Sequence, residues 1–141
     1  MSALYFDVQG KEHARNEWDM HHVIPRSQMH GGKQRAWCNL RGLLIPIYKD
    51  QHNRGSESLH ANVPFPPKPT PELMGAIRQH LFTEDVTDVY DRFVAMNQFV
   101  HDLAETTENT GLGKLAEKLA VNLEQQTPYI LTGMVIVEQV D

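Results

Sequence analysis

Residues 20–32 read MHHVIPRSQMHGG, two adjacent histidines, an apolar pair and a proline ahead of a glycine pair. Successive side chains of a strand point to opposite faces, so His21 and His22 cannot both enter one apolar core unless the chain bends. At least one of them therefore faces a polar site. Pro25 fits the end of a strand, because it offers no donor to a ladder. Working outward, a second extended run is expected at Leu43–Tyr48, and then a polar turn with a helical segment carrying His52 and Asn53. Strand, loop, strand, helix is a frame that brings His21, His22 and His52 within a few ångströms of one another.

The chain around this stretch has 141 residues and a mass of 16.1 kDa, enough for one ordinary domain and not for two independent cores. Its composition, 40% hydrophobic and 22% charged, is that of a folded protein. The single cysteine, Cys38, excludes an intrachain disulfide and a four-cysteine zinc site, and it fits a reducing compartment. No apolar run approaches the ~20 residues that span a bilayer, and the opening residues lack a basic segment followed by an apolar one. A cytosolic protein with no membrane association is expected, in a cell that includes a virus-infected one.

The formal net charge of −5 speaks against a polyanion partner until its distribution is considered. Residues 1–60 carry eight Lys/Arg against six Asp/Glu, and residues 61–141 five against twelve. Six of the eight histidines also lie in the first part. Any nucleic-acid surface belongs there, whereas the second part is acidic.

Five of the eight prolines fall in VPFPPKPTPE, residues 63–72, where fixed φ angles and missing donors impose extended backbone. This segment divides the chain into residues 1–62, a stiff connector at 63–72, and a helical part at 73–141. In the helical part, Thr70-Pro71-Glu72 caps a helix through Phe82. Thr83 starts a second helix, in which Val89, Phe93, Met96, Val100 and Leu103 recur at spacings of three and four. A third runs from about Gly113 to Gln126. The tail YILTGMVIVEQV is open between a strand, for its β-branched run, and a helix capped by Thr127-Pro128. His80 and His101 read as surface or packing residues. The fold class expected is α+β, with a mostly α-helical C-terminal half.

The segment His21-His22-Val23-Ile24-Pro25-Arg26-Ser27, followed by Gly31-Gly32, Asn39-Leu40, Leu44-Ile45-Pro46-Ile47, His52-Asn53 and Leu59-His60, resembles the HNH endonuclease motif of the ββα-metal superfamily. The resemblance covers about 40 residues of 141. Members have an Asp or His before a His, a proline three residues later, a central Asn, and a His or Asn on the following helix. The resemblance implies that His21 ligates a divalent ion and that His22 is the general base, a role suited to an unperturbed pKa near ~6.5. A histidine that gives its lone pair to a metal cannot use it as a base, which explains a tandem pair.

The remaining ligands fit the family less closely. His52 takes the first helix position, but the next should lie one turn on, at residue 56, which is Ser56. Arg54-Gly55-Ser56 weakens a continuous helix. The alternatives are a loop that lets His60 fold back to the metal, or a two-histidine site completed by water, with Asn53 as a further ligand candidate. Asn39, which by resemblance pins the loop and orients His22, stands earlier than the family's spacing, with Leu43 at the usual place. Trp37 and Cys38 read as packing residues. Arg26, Lys33, Arg35, Arg41 and Arg54 are the candidates for phosphate contacts.

The function expected is hydrolysis of DNA phosphodiester bonds by a metal-dependent endonuclease. One Zn2+, Mg2+, Mn2+ or Ni2+ ion is implied, and nothing in the sequence chooses DNA over RNA. Small free-standing HNH proteins resemble those encoded by phages and prophages. The competing expectation is a catalytically weak or inactive HNH-like module that binds or assembles through its acidic helical half. In that case the helix over Thr83–Thr107 offers a homodimer seam.

Overall fold

The computed structural model describes residues 2–29, 35–83 and 85–140. Lys33 and the Gly31-Gly32 pair lie outside the described residues. Strand β1 (Ser2–Phe6) runs antiparallel to β2 (Glu12–His13) on one side and to β5 (Ile136–Val140) on the other, with Leu4 opposite Glu138. Asp7 closes the β1–β2 turn, its Oδ1 accepting from the backbone N–H groups of Gln9 and Lys11 at 2.9 and 3.0 Å. This three-stranded sheet joins the two ends of the chain, a pairing that the division at the prolines gave no reason to expect.

Strand β3 (Trp18–His22) pairs antiparallel with β4 (Leu44–Tyr48), with His21 opposite Ile45. A short helix, α1 (Lys49–His52), follows β4 directly. Asn53 is its C-cap, Gly55 takes a φ of 84°, and a second short helix, α2 (Leu59–Asn62), starts afresh. A positive φ is open to glycine at little cost, so Gly55 is the residue that turns the chain back. The extended segment 63–70 then leads to α3 (Pro71–Thr83), α4 (Val89–Thr106) and α5 (Gly111–Thr132).

Helix ends differ from the sequence expectation for local reasons. Thr83 does not start α4: its hydroxyl donates to the carbonyls of Gln79 and His80 and so finishes α3. Asp88 caps α4 instead, accepting from the N–H groups of Tyr90 and Asp91, as a carboxylate does at a helix N-terminus. Pro128 lies inside α5 and not at a cap, so the helix runs on to Thr132 before the chain turns into β5. The strand reading of the tail holds for Ile136–Val140, whereas no new helix is capped at Thr127-Pro128.

One hydrophobic cluster unites these parts. Ile24, Leu43, Ile45 and Ile47 from the front of the chain pack with Ile77, Phe93, Met96, Leu119 and Leu123 from the helices, all at 2% exposure or less. The apolar stripe of α4 (Phe93, Met96, Val100) lies in this core, and Val94 is exposed on the helix's other side. Tyr90 on α4 ties three elements together, its hydroxyl donating to Pro46 O at 2.7 Å and accepting from Val135 N–H at 2.8 Å. The end of α5 meets β4 and α1 at Gly133, where a Cβ would lie 2.7 Å from Ile47 Cγ1 and 2.8 Å from Gln51 Cβ. No helix among the described residues is long and apolar enough to cross a membrane.

Candidate metal centre

Three imidazoles converge beside the β3–β4 pair. His21 comes from β3, His52 from the last residue of α1 and His60 from α2, and one ring nitrogen of each lies within 4.8 Å of the others. His52 Nε2 is central, 3.1 Å from His21 Nδ1 and 2.9 Å from His60 Nε2. The backbone turn at Gly55 makes this convergence feasible, so His60 folds back to the cluster while Ser56 stays exposed in the turn. Asn53 is exposed at the end of α1 and does not line the cleft that the three rings face.

The far side of each inner ring fixes which nitrogen carries the proton. His52 Nδ1 lies 2.6 Å from Asp19 Oδ1, so it donates there and leaves the lone pair on Nε2. His21 Nε2 lies 2.8 Å from Gln126 Oε1. The amide orientation follows from the other contacts of Gln126, whose Nε2 donates to Val23 O and to Asn122 Oδ1. Its oxygen therefore faces His21, and His21 carries its proton on Nε2 and its lone pair on Nδ1. With both rings neutral, these two lone pairs face each other across 3.1 Å. Such a pair repels unless a cation sits between the rings.

The two spacings from His52 Nε2 suit a metal ion. Two nitrogens at ~2.0–2.1 Å from one ion lie about 3.3 Å apart at a tetrahedral angle and about 2.9 Å apart at an octahedral one. The observed 2.9 and 3.1 Å fall within that range. The Asp19–His52 contact is the carboxylate–histidine arrangement that sets tautomer and ring orientation at metal sites. His21 is 3% exposed and His52 7%, whereas His60 is exposed, so the cluster is buried behind and open in front. Burial pushes His21 down to about 3, against the opposing pull of the Gln126 hydrogen bond. Burial, with the neighbouring His52, lowers His60 as well. Both rings are then neutral at neutral pH, the form that ligates metal.

His22, one residue on, points elsewhere. Its Nε2 lies 2.8 Å from Asn39 Oδ1, which makes Nε2 the donor and leaves the lone pair on Nδ1. Asn39 therefore reaches the residue it is expected to orient despite its early position, while Leu43 is buried in the core. His22 is half-buried and lines the same open cleft as His21, His52 and His60, about 320 Å3 in volume.

The expected phosphate contacts divide. Arg26 lines the histidine cleft beside Ser27. Arg35 is exposed on the following turn. Arg41 instead donates to Thr87 O at 2.9 Å, and Arg54 pairs with Asp50 at 3.4 Å and lines a different cleft. Cys38 is buried, and Trp37 packs against the core. His80 stacks on Phe99 with ring centroids 4.4 Å apart.

Sequence reading did not single out Asp19, Asn122, Gln126 or Phe65. Asp19 carries a usable signal, since it stands two residues before His21 and so on the same face of β3. Gln126 is 105 residues from His21, and no spacing rule links them. No family model, curated protein or solved structure matches the chain.

Proposed function

We propose that this protein is a metal-dependent endonuclease of the HNH type that hydrolyses DNA phosphodiester bonds. The observation that carries the reading is the convergence of ring nitrogens from His21, His52 and His60, with His22 turned away to Asn39. This divides labour among neighbouring imidazoles, three to hold an ion and one to move a proton. His21, His52 and His60 would hold the ion. When bound, it would supply positive charge to the scissile phosphate and to the leaving oxygen.

His22 takes the proton of the attacking water through Nδ1, while Asn39 keeps its other nitrogen protonated and its ring oriented. A bond forms between the water oxygen and phosphorus, and the bond from phosphorus to the leaving oxygen breaks. Arg26, on the same cleft, offers a cation to the phosphate. A set of three nitrogen ligands favours Zn2+ or Ni2+ over Mg2+, which prefers oxygen. Mn2+ stands between them.

The test is nicking of supercoiled plasmid with each of the four ions in turn. Cutting is expected with at least one of them, and His22→Ala should lower the rate by ~10²–10⁴-fold, the usual contribution of a general base, while metal affinity is retained. Unchanged cutting by that variant overturns the mechanism.

A second reading, a metal-holding module without nuclease activity, is favoured by the dispersal of the cations. Arg41 and Arg54 are engaged away from the cleft, and the helical part of the chain is acidic. Calorimetric titration separates the two, since ion binding with no cleavage of DNA or RNA in any ion supports the module.

A further inference from the structure

The proline-rich segment forms one wall of the histidine cleft. Phe65 stands in the middle of Val63-Pro64-Phe65-Pro66-Pro67 and is 69% exposed, the largest value among the exposed large apolar residues. A single exposed apolar side chain needs no special cause. This one lines the same cleft as the imidazoles, together with Met20, itself 42% exposed, and Pro25.

Its backbone is also tied to the metal ligands. Asn122 Nδ2 donates to Pro64 O at 2.8 Å, Asn122 Oδ1 accepts from Gln126 Nε2 at 2.7 Å, and Gln126 Oε1 accepts from His21. Asn122 and Gln126 are one helical turn apart on α5 and are 4% and 2% exposed. One buried relay thus sets both the ring of His21 and the carbonyl next to Phe65. The flanking prolines restrict the backbone further, so the point from which the phenyl ring projects is fixed at the rim.

An exposed aromatic face beside the proposed phosphate-cleaving centre suits a nucleobase. Stacking on it requires a base whose own face is free, which a base inside an intact duplex does not offer. The cleft's 320 Å3 is near the lower end of the ~300–1,000 Å3 that small-ligand sites span, so it has room for one nucleotide. Arg26 and Ser27, which line the same cleft, offer polar contacts for the adjoining phosphate.

Building on the nuclease reading above, we propose that Phe65 is the base-stacking residue of this site and that the substrate is a DNA strand with an unpaired base beside the scissile phosphate. Single strands, gaps and flaps meet that description.

The experiment uses the full chain and one labelled oligonucleotide, presented as a single strand and as a blunt duplex, with Zn2+, Ni2+, Mn2+ or Mg2+. The wild type should cut the single strand at least tenfold faster. Phe65→Ala should lose about tenfold in kcat/KM on the single strand, the scale of one stacked base, and Phe65→Trp should retain it. In parallel, the His22→Ala protein should quench an oligonucleotide carrying 2-aminopurine, and the His22→Ala, Phe65→Ala double variant should not. Zn2+ affinity is the control, since an exposed side chain that touches no ligand should leave it unchanged. A wild type that cuts duplex as fast as single strand, or Phe65→Ala cutting at the wild-type rate, overturns this inference and leaves the nuclease reading standing. A wild type that cuts nothing in any ion overturns both.

Discussion

His13 and His21 lie on successive strands, yet their ring nitrogens meet opposite kinds of partner. His13 Nε2 is 2.7 Å from Asp7 Oδ2 and Nδ1 is 3.1 Å from Glu17 Oε2, with the ring 4.4 Å from that of Tyr48. Two carboxylates are satisfied together only by a ring that donates from both nitrogens. Hydrogen bonding to His13 is the first cause that holds the Asp7 carboxyl below its ordinary range, and for Glu17 the Ala14 N–H leads, with His13 adding to it. His21 faces an amide oxygen on one side and another imidazole's lone pair on the other. The first ring is flanked by carboxylates on both sides. The second, with His52 and His60, presents three nitrogens that could hold a cation, so the two sites differ in what lies around each ring.

The largest effect expected from this contrast is stabilisation by metal. An ion that binds only the folded chain contributes about 2.7 kcal/mol at a free concentration of 100 times Kd. For a chain of this length that raises Tm by roughly 10 °C. Thermal scans with and without Zn2+ or Ni2+ should show the shift, and His52→Ala, which removes the central nitrogen, should abolish it. His13→Ala should keep it. An equal loss in both variants would mean that the clusters do not differ in the way their partners indicate.

The residues behind the rings should have a smaller effect. Asp19→Asn weakens the acceptor for His52 Nδ1, and Gln126→Ala removes the acceptor for His21 Nε2 and breaks the relay to Pro64. Loss of such a partner typically costs 10–100-fold in metal affinity, and calorimetry should find each variant in that range. Gln126→Glu sharpens the comparison by offering His21 a charged acceptor, as Asp19 offers His52. It should restore part of the affinity if hydrogen bonding to the ring, and not packing alone, is what Gln126 provides.

These partners also mark where the sequence stopped being informative. The strand at Leu44–Tyr48 was legible from its apolar run, whereas the first strand covers Trp18–His22 and stops short of Val23, Ile24 and Pro25; the α4 stripe was legible because Phe93, Met96 and Val100 repeat at helical spacing. His52 and His60 were legible as ligand candidates, but the choice between a folded-back loop and a two-histidine site depended on Gly55, whose backbone angle the sequence does not state. The β1–β5 pairing and the Gln126–His21 contact were not legible, because strand partners and side chains more than 100 residues apart leave no local pattern. The caps at Thr83 and Asp88 were decided by competition between two good capping residues, which only the packing of α4 resolves.

Taken per pH unit, the response to acid is the smallest effect, and it distinguishes the two clusters by pH window. In the metal-free protein the folded state holds His21 down at about 3, while the unfolded chain takes up that proton near ~6.5. The unfolded state therefore binds more protons between these values, and stability falls as pH drops through that window, by at most about 1.4 kcal/mol per pH unit for this group. Asp7 and Glu17 are also depressed by folding, so what they contribute is present above the ordinary carboxylate range and is lost as pH falls through their lowered values. Urea titrations of metal-free protein from pH 7.5 to 3 should show a first decline beginning near ~6.5 and a second, weaker one below ~4. His13→Ala should flatten the second and leave the first, because the first belongs to rings that have no carboxylate facing their converging nitrogens. A first decline that vanishes with His13→Ala would place the acid sensitivity in the carboxylate cluster and contradict the assignment of the buried histidines as neutral ligands.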